Sequence, residues 1–213
     1  MIYSDTCGLV SVVLVYFSYF CTGYIGIRFG FCEIYADYSY LISGIFFLVV
    51  ILSIASHFAA MWIDPGTVTS ANEPLDARGL PCSICKITKI ARTHHCTTCN
   101  KCILNMDHHC PWISNCVGFK NQKHFILFLV YTIISGLWYL TTMIQTAFHC
   151  IDHYCEVEKE PYWVFISVLT SAISLFFMIL CFITLKEQIR VVVSNISEID
   201  LLQLRKFKQV RPM

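Results

Sequence analysis

The stretch that decides the fold is residues 82–116, CSICKITKIARTHHCTTCNKCILNMDHHCPWISNC, which holds seven of the thirteen cysteines and four of the eight histidines. The pattern C-x2-C-x9-H-x6-C occurs twice in it, and the second copy begins fourteen residues after the first. The two copies are Cys82, Cys85, His95 and Cys102, and Cys96, Cys99, His109 and Cys116. Three thiolates and one imidazole are the donors of a closed tetrahedral zinc site. The spacing therefore predicts two interlocked sites that hold two structural Zn²⁺ ions.

Of the eleven cysteines and histidines in this stretch, three remain outside both sites: His94, His108 and Cys110. An imidazole can take the proton of a neighbouring thiol, and a carboxylate can orient that imidazole. We therefore predict Cys110 as a nucleophile, His108 as its base and Asp107 as the group that orients the base. The alternative is that Cys110 replaces Cys96 as a metal ligand, since the two are fourteen residues apart. Cys96 begins a C-x2-C pair and Cys110 does not, which favours Cys110 as the reactive thiol.

The composition indicates a membrane protein. Of the 213 residues 56% are hydrophobic and 14% are charged, whereas soluble domains have about 25% charged residues. The net charge of +1 gives no basic field, so we expect no nucleic-acid partner. Four apolar stretches are long enough to span a bilayer: Leu9 to about Ile27, about Tyr40 to Ile63, a third from near His124, and Tyr162 to about Leu185. The predicted fold is an all-α polytopic membrane protein with four transmembrane helices.

The distribution of Lys and Arg predicts the orientation. Thirteen of the fifteen basic residues lie in residues 64–123 and after Leu185, whereas the 30–39 and 145–161 loops are acidic. The positive-inside rule then places the Cys/His segment and both termini in the cytosol. Clustered thiols also suit a reducing compartment. The first span lacks a basic leader, so we interpret it as a retained helix and not a signal peptide.

We expect four regions along the chain. Residues 1–63 hold helices 1 and 2, residues 64–123 form a cytosolic Cys/His-rich double-zinc domain, residues 124–185 hold helices 3 and 4, and residues 186–213 form a cytosolic tail without a further soluble domain. The tail sequence EIDLLQLRKFKQV, residues 198–210, suits a helix on an anionic membrane surface, with a solvated, frayed tail as the alternative.

A cytosolic thiolate just before the third span predicts a particular kind of substrate. A molecule with an apolar tail in the membrane and a thioester head at the interface would reach it, and an acyl-CoA is such a molecule. Lys89, Arg92 and His94 precede Cys110 and could contact the phosphates of the CoA. A solvated basic face is the alternative interpretation of these three residues.

The motifs CSIC, HHCTTCNKC and DHHCPWISNCVG, followed by Asn121 and Phe125, resemble the cysteine-rich domain of the DHHC protein S-acyltransferases (palmitoyltransferases). The resemblance covers residues 82–125 and extends to Asp64-Pro65-Gly66 and the four-helix layout. It implies that palmitoyl-CoA acylates Cys110, with His108 and Asp107 as base and orienter. The acyl chain then passes, in a ping-pong reaction, to a juxtamembrane cysteine of a cytosolic or membrane-associated protein. It further implies structural zinc ions, and an acyl pocket near Trp112 and Phe125.

One departure and two rival functions stand beside this resemblance. The family usually has Thr-Thr-x-Glu after helix 4, whereas this chain has Leu185 in place of the second threonine, which leaves open how the tail contacts the site. A non-catalytic zinc-containing membrane adaptor would not need Cys110. A channel or transporter would need charges within its spans, where only His57 is ionisable. We expect an integral membrane protein of the endomembrane system (Golgi or endoplasmic reticulum) or of the plasma membrane.

Overall fold

The computed structural model describes residues 6–31, 38–70, 81–90, 92–152, 155, 161–197, 199–202 and 205. Among these residues four helices are long and apolar enough to cross a membrane. They are α1 (Thr6–Ile25, continued by a π-helical segment, Gly26–Phe31), α2 (Ser39–Trp62), α3 (Gln122–Asp152) and α4 (Pro161–Ser194). The predicted class, four membrane helices with a Cys/His-rich segment between helices 2 and 3, is confirmed. The acidic residues of the 30–39 loop and most of those of the 145–161 loop lie outside the described residues, as does most of the tail sequence 198–210.

Helix α4 extends beyond the boundary expected from hydropathy. It continues past Leu185 to Ser194, because neither Gly nor Pro interrupts residues 186–194. Glu187 and Arg190 also form an ion pair of 2.6 Å one turn apart on this extension. The loss of apolar residues after Leu185 therefore marks the end of the membrane-spanning part and not the end of the helix.

The described residues form two compact units. The first, which we call the membrane unit, comprises residues 13–55 and 127–185. Its core is the buried set Ile25, Phe29, Phe31, Phe46, Val50 and Tyr139. A polar group lies among the spans of this unit: the Tyr19 hydroxyl is 2.6 Å from Ser53 Oγ and 2.7 Å from Thr132 Oγ1. Mutual hydrogen bonds satisfy these hydroxyls, which an apolar environment requires.

Two further features of the membrane unit were not expected from the sequence. Cys150, in the last turn of α3, and Cys155, just beyond the helix, form a disulfide. His149 lies close to both sulfurs. The unit also contains an apolar cavity of about 390 Å³. Leu140, Met143 and Val164 are among the residues that line it.

The second unit, which we call the Cys/His unit, draws its described residues from 1–12, 56–126 and 186–213. It contains five short strands, which the sequence did not predict. They are β1 (Thr67–Val68), β2 (Thr93–Cys96), β3 (Lys101–Leu104), β4 (His108–Cys110) and β5 (Asn115–Val117). The first three form an antiparallel sheet in the order β1-β3-β2, and β4 pairs with β5 as a hairpin. Strands this short bury little apolar surface, so a cross-linking element such as a metal is needed to hold them.

Two asparagines attach the β4–β5 hairpin to the end of α2. The last carbonyls of a helix have no partner within the helix. Asn121 Nδ2 donates to the Ala60 carbonyl at 3.0 Å and to the Cys116 carbonyl at 2.8 Å. Asn115 Nδ2 donates to the Met61 carbonyl at 3.0 Å. These amides cap α2 and fix the hairpin against it.

Candidate functional site

The first tetrad of cysteines and histidine is assembled by the β2–β3 pair. His95 and Cys102 lie directly opposite each other in the register of the two strands. Cys85 Sγ and Cys102 Sγ are 3.2 and 3.8 Å from His95 Nδ1. The backbone N–H of Cys85 points at Cys82 Sγ over 3.5 Å, as in a tight turn that presents both sulfurs to one point.

The second tetrad repeats this arrangement on the β4–β5 pair. His109 and Cys116 are opposite each other, and Cys99 Sγ and Cys116 Sγ are 3.3 and 3.7 Å from His109 Nδ1. The backbone N–H of Cys99 is 3.3 Å from Cys96 Sγ. The fourteen-residue repeat of the sequence is therefore also a repeat of local structure.

Both tetrads fit a tetrahedral zinc ion. Each residue of a tetrad offers one ligand atom, a sulfur or an imidazole nitrogen, and the four ligand atoms lie within 4.8 Å of one another. Zn–S bonds of about 2.3 Å place sulfurs roughly 3.8 Å apart in a tetrahedron. Hydrogen bonds with the sulfurs of Cys96 and Cys99 raise the pKa of Cys116, whereas hydrogen bonds with Cys116 and Cys99 lower the pKa of Cys96. Thiols this close compete for protons, and a divalent cation would replace those protons.

Strand β4 separates the two adjacent histidines. Side chains alternate between the faces of a strand, so His109 points to the metal tetrad while His108 and Cys110 share the other face. His108 Nδ1 lies 2.8 Å from Asp107 Oδ2. The structure thus brings together the three residues predicted as nucleophile, base and orienter.

The surroundings of His108 favour its charged form. Burial by itself lowers the pKa of this imidazole, but hydrogen bonds and charge interactions with Asp107 and Cys110 outweigh it and raise the pKa to about 9. Cys110 itself is 5% exposed. An imidazolium formed by taking a thiol proton would be stabilised here, as activation of a cysteine requires.

The backbone just after Cys110 is held in a fixed turn. Cys110 precedes the short 3-10 helix Pro111–Ile113, and Ser114 follows in the left-handed region with φ 45°. His57, which is completely buried, makes a 2.9 Å hydrogen bond from Nε2 to the Trp112 carbonyl. The sequence marked His57 only as an ionisable residue within a span. The structure shows that it also anchors the turn after the candidate nucleophile.

Of the two residues predicted near an acyl pocket, Phe125 contacts the candidate site. The Phe125 ring is fully buried, and its centroid is 5.6 Å from that of His108 in an edge-to-face arrangement. Trp112 is half-buried and lies two residues after Cys110. Phe125 is in the first turns of α3, which begins at Gln122.

One residue of the site was missed at the sequence level. Gln188, on the extension of α4, is 2% exposed, and its Nε2 donates to Asp107 Oδ2 at 2.7 Å. Gln122 Nε2 in turn donates to Gln188 Oε1 at 3.1 Å. No local motif marks a contact between residues 81 positions apart.

The residues predicted to meet CoA phosphates already have partners within the protein. Arg92 Nε and His94 Nε2 each lie 3.0 Å from the Asp200 carboxylate, and Arg92 Nη1 donates to Asn195 Oδ1 at 2.9 Å. Burial tends to raise the pKa of Asp200, but hydrogen bonds from His94 and Arg92 lower it overall. Lys89 is half-buried in the segment that leads to β2. A phosphate at Arg92 or His94 would have to share these side chains with Asp200.

The family model for DHHC palmitoyltransferases matches residues 77–205. The chain belongs to the DHHC palmitoyltransferase family. It is 32% identical to "Palmitoyltransferase ZDHHC3" of Rattus norvegicus, over 95% of this chain and 72% of that relative. It is 30% identical to "Palmitoyltransferase ZDHHC7" of Mus musculus, over 95% of this chain and 70% of the relative. "Probable protein S-acyltransferase 12" of Arabidopsis thaliana is 28% identical over 75% of this DHHC chain and 61% of its own length.

Proposed function

We propose that this chain is a protein S-acyltransferase that moves a long acyl chain, such as palmitoyl, from acyl-CoA to a cysteine of a membrane-associated protein. The main support is that Asp107, His108 and Cys110 form one group at β4, in a chain of the DHHC family. The similar proteins named above are palmitoyltransferases or protein S-acyltransferases.

The first half-reaction forms an acyl-enzyme on Cys110. His108 takes the thiol proton, and Asp107 stabilises the imidazolium. The thiolate attacks the thioester carbonyl carbon of the acyl-CoA. The bond from that carbon to the CoA sulfur then breaks, and the imidazolium protonates the departing CoA thiolate.

The second half-reaction transfers the acyl group to the protein substrate. His108 takes the proton of the substrate cysteine, whose thiolate attacks the acyl carbonyl on Cys110. The thioester to Cys110 breaks, and the proton passes from His108 to the Cys110 sulfur. One thioester replaces another, so the reaction is nearly balanced and catalysis consists of positioning and exclusion of water.

Hydrocarbon binding positions the acyl donor. We place the acyl chain next to Trp112 and Phe125, because Phe125 packs against His108 and so borders the reacting group. Burial contributes about 0.8 kcal/mol for each methylene. The proposed contacts of Lys89, Arg92 and His94 with the CoA phosphates stay a prediction.

We propose that the two tetrads hold structural zinc and that the Cys/His segment faces the cytosol. Zinc supplies cross-links that hold β2–β3 and β4–β5 in place, and it takes no part in the acyl transfer. Cytosolic placement is supported by the basic residues of segment 64–123. The disulfide of Cys150 and Cys155 gives independent support: it lies at the C-terminal end of α3, whereas the Cys/His segment precedes α3, and disulfides form in oxidising compartments.

The test is acylation of the purified full chain by palmitoyl-CoA. We expect a hydroxylamine-labile acyl label that disappears in Cys110→Ser, because a serine hydroxyl is far less ionised than a thiol. Cys7→Ser, which alters an exposed thiol outside the group, is the matched control and should label normally. A wild-type level of label on Cys110→Ser would overturn the assignment. A chain that binds zinc but never acquires label would instead be the membrane adaptor considered above.

A further inference from the structure

Gln188 is a buried polar residue that the reaction described above does not use. It lies on α4, three residues after Leu185, and is 2% exposed. Thr184, on the other side of Leu185, uses its hydroxyl to donate to the Leu180 carbonyl one turn earlier in its own helix. The side chain of Leu185 has no donor. Among the described residues of this part of α4, Gln188 donates a hydrogen bond to the candidate catalytic group, at Asp107.

Both ends of the Gln188 amide are used. Its Nε2 donates to Asp107 Oδ2 at 2.7 Å, and its Oε1 accepts from Gln122 Nε2 at 3.1 Å. A carboxylate can only accept, so the NH2 group must face Asp107. The second bond then holds the amide in that orientation. Gln122, Gln188, Asp107 and His108 thus form a continuous series of hydrogen bonds.

Gln188 and His108 bind the same oxygen atom of Asp107. Asp107 Oδ2 receives both the Gln188 amide at 2.7 Å and His108 Nδ1 at 2.8 Å. Asp107 is 4% exposed, so its carboxylate depends on protein donors in place of water. Asp107 and His108 are adjacent in sequence, and a short side chain leaves the carboxylate plane free to rotate about χ2. A donor from a different helix removes that freedom.

We propose that Gln188 is a positioning residue for acyl transfer: its amide fixes the carboxylate of Asp107 and thereby the imidazole of His108 against Cys110. The inference rests on the proposed function of that group. Gln188 acts through Asp107 and touches no reacting atom, so its loss should lower the rate of acylation without changing the affinity for acyl-CoA. Outer residues that orient an active group typically contribute about ten- to a hundredfold.

The test compares variants of similar size at this position. Gln188→Met keeps the length of the side chain and removes the donor, and Gln188→Glu keeps its shape but opposes Asp107 with a second carboxylate. The rate of autoacylation at saturating palmitoyl-CoA should fall roughly ten- to a hundredfold in both, with KM for palmitoyl-CoA unchanged. Gln122→Met removes only the hydrogen bond to Gln188 Oε1, so it should lower the rate of autoacylation less than Gln188→Met does. Ile189→Met, at a neighbouring position that is 52% exposed, should acylate as the wild type does.

Three further measurements separate positioning from a structural role. Zinc content and the melting temperature of Gln188→Met should match the wild type, and alkylation of Cys110 by iodoacetamide should slow along with acylation. Wild-type kcat in Gln188→Met would overturn the inference, as would a fall in kcat that follows loss of zinc or of melting temperature. If Cys110→Ser still carries the label, the proposed function itself fails. If Cys110 is required and Gln188→Met is fully active, only this inference fails.

Discussion

At the scale of single residues, two neighbouring histidines are given different environments by one strand. His109 faces three sulfurs, with Cys99 Sγ 3.3 Å from its Nδ1. His108 faces Asp107 and Cys110. Both are histidines on β4, so the direction of the side chain and not the residue type decides what each can do.

Substitution of each histidine should therefore have a distinct result. We expect His108→Ala to keep both zinc ions and a normal melting temperature while autoacylation falls by about 10²–10⁴-fold, the usual contribution of a general base. His109→Ala should lose metal and stability together. Metal analysis, thermal melting and acyl labelling of the two purified variants provide the comparison. Equal behaviour of the two would contradict the division of roles.

Local spacing predicted most of the site, and long-range contacts were the part it missed. The eight tetrad residues repeat at a fixed offset, so their grouping could be inferred from the sequence, and the structure brings them together. Asp107, His108 and Cys110 are also close neighbours in sequence, so their grouping could be inferred in the same way. His57 and Gln188 reach the site from α2 and α4. A single histidine or glutamine in a helix carries no signal of its distant partner.

At the scale of elements, the second tetrad is also part of a small core. Cys96, Cys99 and Cys116 are buried together with Ile103 and Met106. A metal there would take the place of the larger apolar core that strands of three or four residues cannot form. Strands so short show no periodicity in the sequence, which is why the four helices were predicted and these strands were not.

Loss of one ligand should remove one ion. We expect Cys99→Ala to lower zinc from two ions to one per chain and to destabilise the Cys/His unit, because structural zinc contributes directly to folding. Elemental analysis together with limited proteolysis would show both effects. Cys7→Ala, an exposed thiol outside both tetrads, should retain two ions. A Cys99→Ala chain with two ions, or a wild-type chain with only one, would refute the two-site interpretation.

A glycine next to β5 allows the close approach of three backbone segments. A Cβ added at Gly118 would lie 2.6 Å from the Pro65 carbonyl oxygen and 2.7 Å from Ile103 Cγ2. We expect Gly118→Ala to lower stability by about 1–3 kcal/mol through overpacking, measured as a lower melting temperature. Gly44→Ala on α2, where a Cβ would meet nothing within 4 Å, should stabilise by about 0.5–1 kcal/mol. Similar effects of the two substitutions would contradict the packing argument.

At the scale of the whole molecule, the number of spans determines which loops share a side of the membrane. With four spans, the segment before α3 and the segment after α4 lie on one side, and the loop between α3 and α4 lies on the other. The disulfide joins Cys150, in the last turn of α3, to Cys155 in that loop. The sequence shows that both cysteines lie outside the Cys/His cluster. It does not show that they pair, because pairing depends on the geometry of the chain between them.

The chain carries its own reporter of orientation. Asn195-Ile196-Ser197 matches the acceptor pattern for N-glycosylation. We expect it to stay unmodified, because glycosylation is lumenal and we place this segment in the cytosol. An acceptor engineered into the 145–161 loop should be modified if it lies far enough from the membrane, as a shift removed by glycosidase would show. A glycan on Asn195 would refute the span count or the orientation.

The fourteen-residue repeat duplicates more than the metal ligands. His94-His95-Cys96 on β2 and His108-His109-Cys110 on β4 are copies, and His94 also contacts a carboxylate, that of Asp200, at 3.0 Å. In each copy the first histidine contacts a carboxylate, and the thiol two residues later lies on the same strand; only the first copy's thiol, Cys96, belongs to a tetrad. Cys96 is thus the positional counterpart of Cys110 in the repeat. The repeat therefore gives two related strands different tasks: Cys96 is committed to a candidate metal tetrad, whereas Cys110 stays outside both tetrads as the candidate nucleophile.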